Sequence, residues 1–200
     1  MRAMISRPMN KIPALIAAFA VAAFCPLTFA ADEEPPANPE ETTKASTEEK
    51  EPVDMFEILD YDENLDIFNE PGTKTPYTGP VFSTSEEGIR ESEGYLKDGR
   101  EEGWWIEYHE NGNKASEGLY KAGSEEGYWK YYHDNGAFES GGVYKDGVPV
   151  GKWVSFFESG KIDFEGNYVD GLMDGDWTFY DEKTGEARVI KFDKGTQLTE

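Results

Sequence analysis

The sequence is short of the residues that most chemistry needs. It holds one cysteine, Cys25, and two histidines, His109 and His133. A lone thiol closes no internal disulfide, so stability has to come from buried side chains even in an oxidising compartment. The histidines stand at the same place in successive repeats, each followed by an acid, Glu110 or Asp134. If one strand separates theirs, the two rings lie roughly 10 Å apart, too far to share an ion. Ser83, Ser85, Ser116, Ser140 and Ser155 lack a Gly-x-Ser-x-Gly elbow, and no glycine loop has phosphate-cradling spacing. Carboxylates are so common that no pair stands out as an acid/base couple. The Asp-Gly turns, Asp174-Gly175-Asp176 among them, belong to no twelve-residue calcium loop. We therefore expect no catalysis, no cofactor and no metal site.

Positive charge is scarce as well. Nineteen Lys and Arg stand against forty-one Asp and Glu, a formal net charge of −22. Such a balance repels phosphate backbones and anionic headgroups, which excludes nucleic acid and disfavours an anionic membrane surface. Cations, or a basic patch on another protein, suit it better, and solubility is its plainest role.

Acid is itself missing from the first thirty residues. Arg2, Arg7 and Lys11 precede an apolar run from Ile12 to Ala30, and Thr28-Phe29-Ala30 offers small residues at the −3 and −1 positions of a cleavage site. Residues 1–30 read as a signal peptide, with Pro13 and Pro26 weighing against a stable span. The expected location is exported: periplasmic, or extracellular at the cell surface. Residues 31–52, ADEEPPANPEETTKASTEEKEP, contain no aromatic or branched aliphatic side chain, and we expect a disordered acidic linker there.

Glycine and aromatic residues, by contrast, are plentiful and strictly spaced. Gly79, Gly103, Gly127, Gly151 and Gly175 recur every 24 residues, and Gly94, Gly118, Gly142 and Gly166 form a second series at the same step. Trp105, Trp129, Trp153 and Trp177 keep that interval, as do Tyr108, Tyr132, Phe156 and Tyr180, and Leu96, Tyr120, Tyr144, Tyr168 and Phe192. Each unit reads as a β-hairpin: a strand from about Gly103 to His109, a turn at Asn111-Gly112, then a strand over about Lys114 to Lys121. Asp98-Gly99, Asp146-Gly147 and Asp170-Gly171 mark return turns. A lone hairpin is marginal in water, so the units must stack, giving an all-β, elongated single-layer meander of antiparallel hairpins. Residues 53–78 read as N-terminal cap strands and 79–200 as the repeat array. One point stays open: Trp105 and Tyr108 are three apart, so either the strand is bulged or both faces carry aromatics.

These motifs resemble the MORN repeat, in the variant form of bacterial YwqK-type proteins. The pattern Gly-x-Trp-x-x-Tyr, Asn-Gly, Gly-x-Tyr, Asp-Gly is carried by residues 103–123 with Ala122 for the Asp, by 127–147, and by 151–171 with Phe156 for the Tyr and Ser159-Gly160 for Asn-Gly. The resemblance implies a curved strip of antiparallel hairpins. For function it implies contact with membrane lipids, dimerisation or protein scaffolding, or the antitoxin role by which YwqK-type proteins are labelled. An export signal would part this chain from a cytoplasmic toxin, and its acidity from anionic lipids.

Trp104, Tyr128 and Tyr131 fall where neighbouring repeats carry polar residues, so we take them as the candidate binding surface. The expected partner is another protein, with a cell-wall glycan as the alternative, since aromatic rows also stack on sugars. Sheet edges at both ends could pair copies of the chain, and the oligomeric state stays open.

Overall fold

The computed structural model describes residues 50–199. The expected signal peptide, residues 1–30, and residues 31–49 of the expected linker lie outside them. In chain order the elements are β1 (Val53–Asp54), α1 (Met55–Ile58), β2 (Asp60–Asp62), β3 (Ile67–Asn69), β4 (Gly79–Thr84), β5 (Arg90–Lys97) and β6 (Arg100–Tyr108). There follow β7 (Lys114–Lys121), β8 (Ser124–Tyr132), β9 (Phe138–Lys145), β10 (Val148–Phe156), β11 (Ile162–Val169), β12 (Leu172–Tyr180), β13 (Ala187–Asp193) and β14 (Thr196–Gln197). Twelve of these strands form one sheet in the order β1-β4-β5 and onward to β14, while β2 and β3 pair separately. Every neighbour from β4 onward is antiparallel, and only β1 joins in parallel, on β4. The all-β meander expected from the 24-residue period is the fold.

The Asp-Gly dipeptides form the return turns expected of them, and the two kinds of turn are built differently. Asn111-Gly112 does not close a two-residue hairpin. It sits in a longer loop, 109–113, where the His109 amide donates to Asn113 O at 2.8 Å and only Gly112 has positive φ. The two-residue turns are the return turns, with both residues left-handed: Asp98 and Gly99 at φ 52° and 80°, Asp146 and Gly147 at 51° and 78°. Paired positive φ values are what matches the twist of the flanking strands, and Asp and Gly tolerate them best.

The tryptophans explain the glycine series. Between the pairs Glu117↔Lys130 and Leu119↔Glu126, β8 carries two more residues than β7, a bulge turned at Gly127 with φ 72°. It lifts Trp129 over Gly118 on β7, so closely that a Cβ there would lie 2.2 Å from the indole. Gly94 beneath Trp105, Gly142 beneath Trp153 and Gly166 beneath Trp177 repeat this seat. The indoles alternate with the Tyr series in one row. Trp105, Tyr120, Trp129, Tyr144, Trp153, Tyr168 and Trp177 meet edge to face, with ring centroids 4.9–6.3 Å apart. Each contact is worth about 0.5–1.5 kcal/mol beyond the area it buries. This is how a single layer buries the four tryptophans of this row to 4% exposure or less.

The ends of the row are closed differently. At the N-terminal end, Met55, Leu59, Phe68, Tyr77, Val81 and Leu96 build a small core against Trp105. The single-turn helix α1 belongs to this cap, started by Asp54, whose carboxylate accepts from the Phe56 and Glu57 amides. The sequence pattern predicts no helix here, because four residues are too few to show a 3.6-residue period. At the C-terminal end Ile190 pairs with Trp177 where a further seat would need glycine, so no additional tryptophan can be stacked. The expected open edges are thus partly covered, by β1 at one end and by β14 over Phe192 and Asp193 at the other.

Three of the four indoles also hydrogen bond. Nε1 of Trp105, Trp129 and Trp177 donates to Tyr95 O, Leu119 O and Asn167 O at 3.1–3.2 Å, but buried Trp153 Nε1 finds no acceptor. Trp129→Phe should therefore cost about 1 kcal/mol more than Trp153→Phe, because it also loses the hydrogen bond to Leu119 O. Denaturation midpoints of the two variants check this; equal losses would mean that the bond contributes nothing.

Candidate functional site

The side of the sheet away from the indoles carries the second aromatic series, which resolves the three-residue offset: both faces bear aromatics. On that opposite face Tyr108 Oη donates to Glu93 at 2.7 Å, Tyr132 to Glu117 at 2.6 Å and Tyr180 to Glu165 at 3.2 Å. Burial, with the bonded carboxylate beside it, pushes Tyr108 up to about 12. Burial also pushes Glu117 upward, but bonds from Lys114 and Tyr132 outweigh it and hold the carboxyl below its ordinary value. In the third repeat both partners of this pair are gone, Phe156 standing for Tyr and Gly141 for Glu. The Tyr128 ring leans into the vacancy, so that a Cβ on Gly141 would meet its Oη at 2.7 Å.

Next to this ladder lie the cross-strand pairs that differ most between repeats. Pro80 faces Tyr95, Trp104 faces Leu119 and Tyr128 faces Val143. At the same positions further along, Lys152 faces Asn167 and Asp176 faces Lys191. The first three hairpins thus present apolar pairs where the last two present polar ones. Tyr95 is 42% exposed and Val143 39%, while Trp104, Leu119 and Tyr128 are half-buried.

Of the residues taken from sequence as a contact surface, Trp104 and Tyr128 share this face. Tyr131 does not. It lies two residues beyond Trp129, hence on the indole side, with its ring 6.3 Å from both Trp129 and Trp153 and its hydroxyl bonded to Tyr144 at 3.0 Å. Burial drives its pKa upward. Sequence comparison with Glu107 and Ser155 marked Tyr131 as unusual, but strand parity alone assigns it to the indole row. Tyr95, Leu119 and Val143 were missed, although parity and the change to Asn167 and Lys191 one and two repeats later would have found them.

His109 and His133 have structural roles. Nε2 of each meets a main-chain carbonyl of the next repeat, Tyr132 O at 2.7 Å and Phe156 O at 2.8 Å, so each ring ties one hairpin to another. Among the described residues no group of three His, Cys, Asp or Glu side chains is placed to hold a metal ion. A groove of about 310 Å³ beside His133 is lined by Glu139, Phe156, Asp163 and Glu182 and opens broadly to solvent. Burial, and Glu182 alongside, push Asp163 above its ordinary value, with His133 opposing.

A family model described as MORN repeat variant matches residues 101–122 and 149–170. Each match spans one long strand, its loop and the strand that returns, which is one structural repeat. No curated protein matches the chain. Among solved structures, a chain from the crystal structure of a GtfA/B complex bound to UDP and GlcNAc matches at 12% identity and a TM-score of 0.24. The match covers 68% of this chain and 29% of that one. None of these matches bears on the YwqK-type antitoxin resemblance.

Proposed function

We propose that this array of MORN-type hairpins is a non-catalytic protein-binding module, exported to the periplasm or cell surface, with the opposite face of its first three hairpins as the docking surface. The observation that carries this reading is the run of apolar pairs, Pro80–Tyr95, Trp104–Leu119 and Tyr128–Val143, which ends abruptly at Lys152–Asn167. The indoles are already covered by their own row, so these pairs add nothing to that core. Half-buried aromatics on a rigid sheet bind well because little side-chain entropy is lost on contact.

The test is retention by the immobilised full chain, wild type against a Trp104→Ser, Tyr128→Ser variant, of envelope proteins and, separately, of isolated peptidoglycan. Protein retained by the wild type and lost by the variant is the expected result. Retention of peptidoglycan, lost in the same variant, would replace the reading by a glycan binder. Neutralisation of a toxin by an unexported form alone would replace it by the antitoxin role.

A further inference from the structure

The chain carries a net charge of −22, yet a row of exposed lysines stands beside the apolar pairs. Lys97, Lys121 and Lys145 each lie two residues beyond Tyr95, Leu119 and Val143 on β5, β7 and β9, hence on the same face, and all three are exposed. None makes an ion pair among the described residues, and the turn aspartates Asp98 and Asp146 form none with them. Four strand glutamates nearby are bonded to other donors. Glu102 accepts from the Ala122 amide at 2.9 Å and Glu126 from the Asp146 amide at 3.1 Å. Glu93 is held by Tyr108 and Arg90, and Glu117 by Tyr132 and Lys114. These bonds leave the glutamates charged but fix them on other donors, so none of the four pairs with Lys97, Lys121 or Lys145. Past β9 the lysine series ends, with Val169 and Asp193 in its place.

Spacing narrows the occupant further. Lys97, Lys121 and Lys145 stand on every second strand, so they recur at about 9.5 Å across the sheet. A polyproline-II segment turns once every three residues and rises about 9.3 Å in doing so. Acids at every third position of such a segment would meet the three lysines in step, and its prolines would lie on Tyr95, Trp104 and Tyr128, as proline-rich segments do in aromatic-lined grooves. A fully extended strand repeats one face at about 6.7 Å and falls out of step after the first lysine.

We propose that the opposite face of hairpins one to three binds an acidic, proline-rich segment of another protein in the polyproline-II conformation, lying across β5, β7 and β9. This rests on the reading of that face as a protein-binding surface, and it reverses the basic partner that the net charge suggests.

The test is titration of the full chain with a synthetic peptide repeating Glu-Pro-Pro, with its counterpart repeating Lys-Pro-Pro, and with phosphatidylglycerol vesicles. The expected result is saturable binding of the acidic peptide, about tenfold or more tighter than the basic one, and lost about tenfold in either Lys121→Glu or Trp104→Ser. Circular dichroism should show both variants folded, since Lys121 is exposed and Trp104 lies outside the indole row. Equal binding of both peptides, no saturable binding, or vesicle binding through the same lysines without peptide binding would each overturn the proposal. Neutralising Glu33, Glu34, Glu40 and Glu41 to Gln in the full chain should leave the affinity unchanged. Tighter binding after that change would make the chain's own acidic stretch the occupant and overturn the assignment to another protein. In the envelope experiment, loss of capture in Trp104→Ser but not in a triple Lys97→Glu, Lys121→Glu, Lys145→Glu variant would keep the docking face and reject the acidic partner.

Discussion

Replacing Gly118 by alanine is expected to lower stability by about 3 kcal/mol, far more than one methyl group usually does. The methyl would lie 2.2 Å from the Trp129 ring, with atoms Cδ2, Cε2 and Cγ all inside 2.7 Å. These atoms belong to the stem and fused edge of an indole held between Tyr120 and Tyr144 at 5.0 and 6.3 Å, so the ring cannot swing aside alone. Displacing it also breaks the Nε1 bond to Leu119 O. Gly103→Ala is the proper comparison. It meets no atom within 4 Å and pays only for a left-handed φ of 76°, about 1 kcal/mol. Urea midpoints for the two variants, with near-ultraviolet circular dichroism to follow the indole row, decide the matter. If Gly118→Ala proved no more costly than Gly103→Ala, the account of the repeat as a set of indole seats would be wrong.

Above about pH 10 the protein should lose stability steeply. Burial raises the pKa of Tyr77, Tyr108, Tyr128, Tyr131, Tyr132, Tyr144, Tyr168 and Tyr180, to about 12 for both Tyr108 and Tyr168. A raised folded value means that the neutral phenol is favoured in the fold. The stabilisation is therefore fully present below the unfolded value near 10 and is lost as pH rises through the folded values. With eight side chains acting together, the loss should culminate in cooperative unfolding. Phenolate absorbance and far-ultraviolet circular dichroism, recorded together from pH 9 to 12, should move in one step for the buried rings. Tyr131→Phe with Tyr144→Phe removes two of these hydroxyls, which bond each other at 3.0 Å, and should carry the step to higher pH. Phenolates that appeared near pH 10 while the sheet stayed intact would show that these rings are not shielded.

The fold was readable in advance because its cause is local and repeated. A glycine that must lie under an indole and a turn that must hold two positive φ values recur at one fixed interval, and the period survives any uncertainty about a single residue. Alternation along a strand even assigns Tyr131 to the indole row, once that row is known to be a core. What the period cannot reveal is the handling of each turn and each face. The Asn-Gly and Asp-Gly dipeptides look equally suited to tight turns, and only the strand register shows that Asn111-Gly112 spans a longer loop while Asp98-Gly99 closes in two residues.

Charge is the sharper case. The amino-acid sequence by itself determined an acidic chain of stacked hairpins with aromatics at fixed places, because composition and period are properties of the chain. Only the tertiary structure decided which of those charges are free. Glu102 and Glu126 are bound by amides twenty residues further along, in the turn that the bulge brings beside them, while Lys97, Lys121 and Lys145 are left unpaired. Which carboxylate is spent on an amide depends on register between strands, and register is set by bulges and by rings settling onto glycines, not by the count of acids and bases.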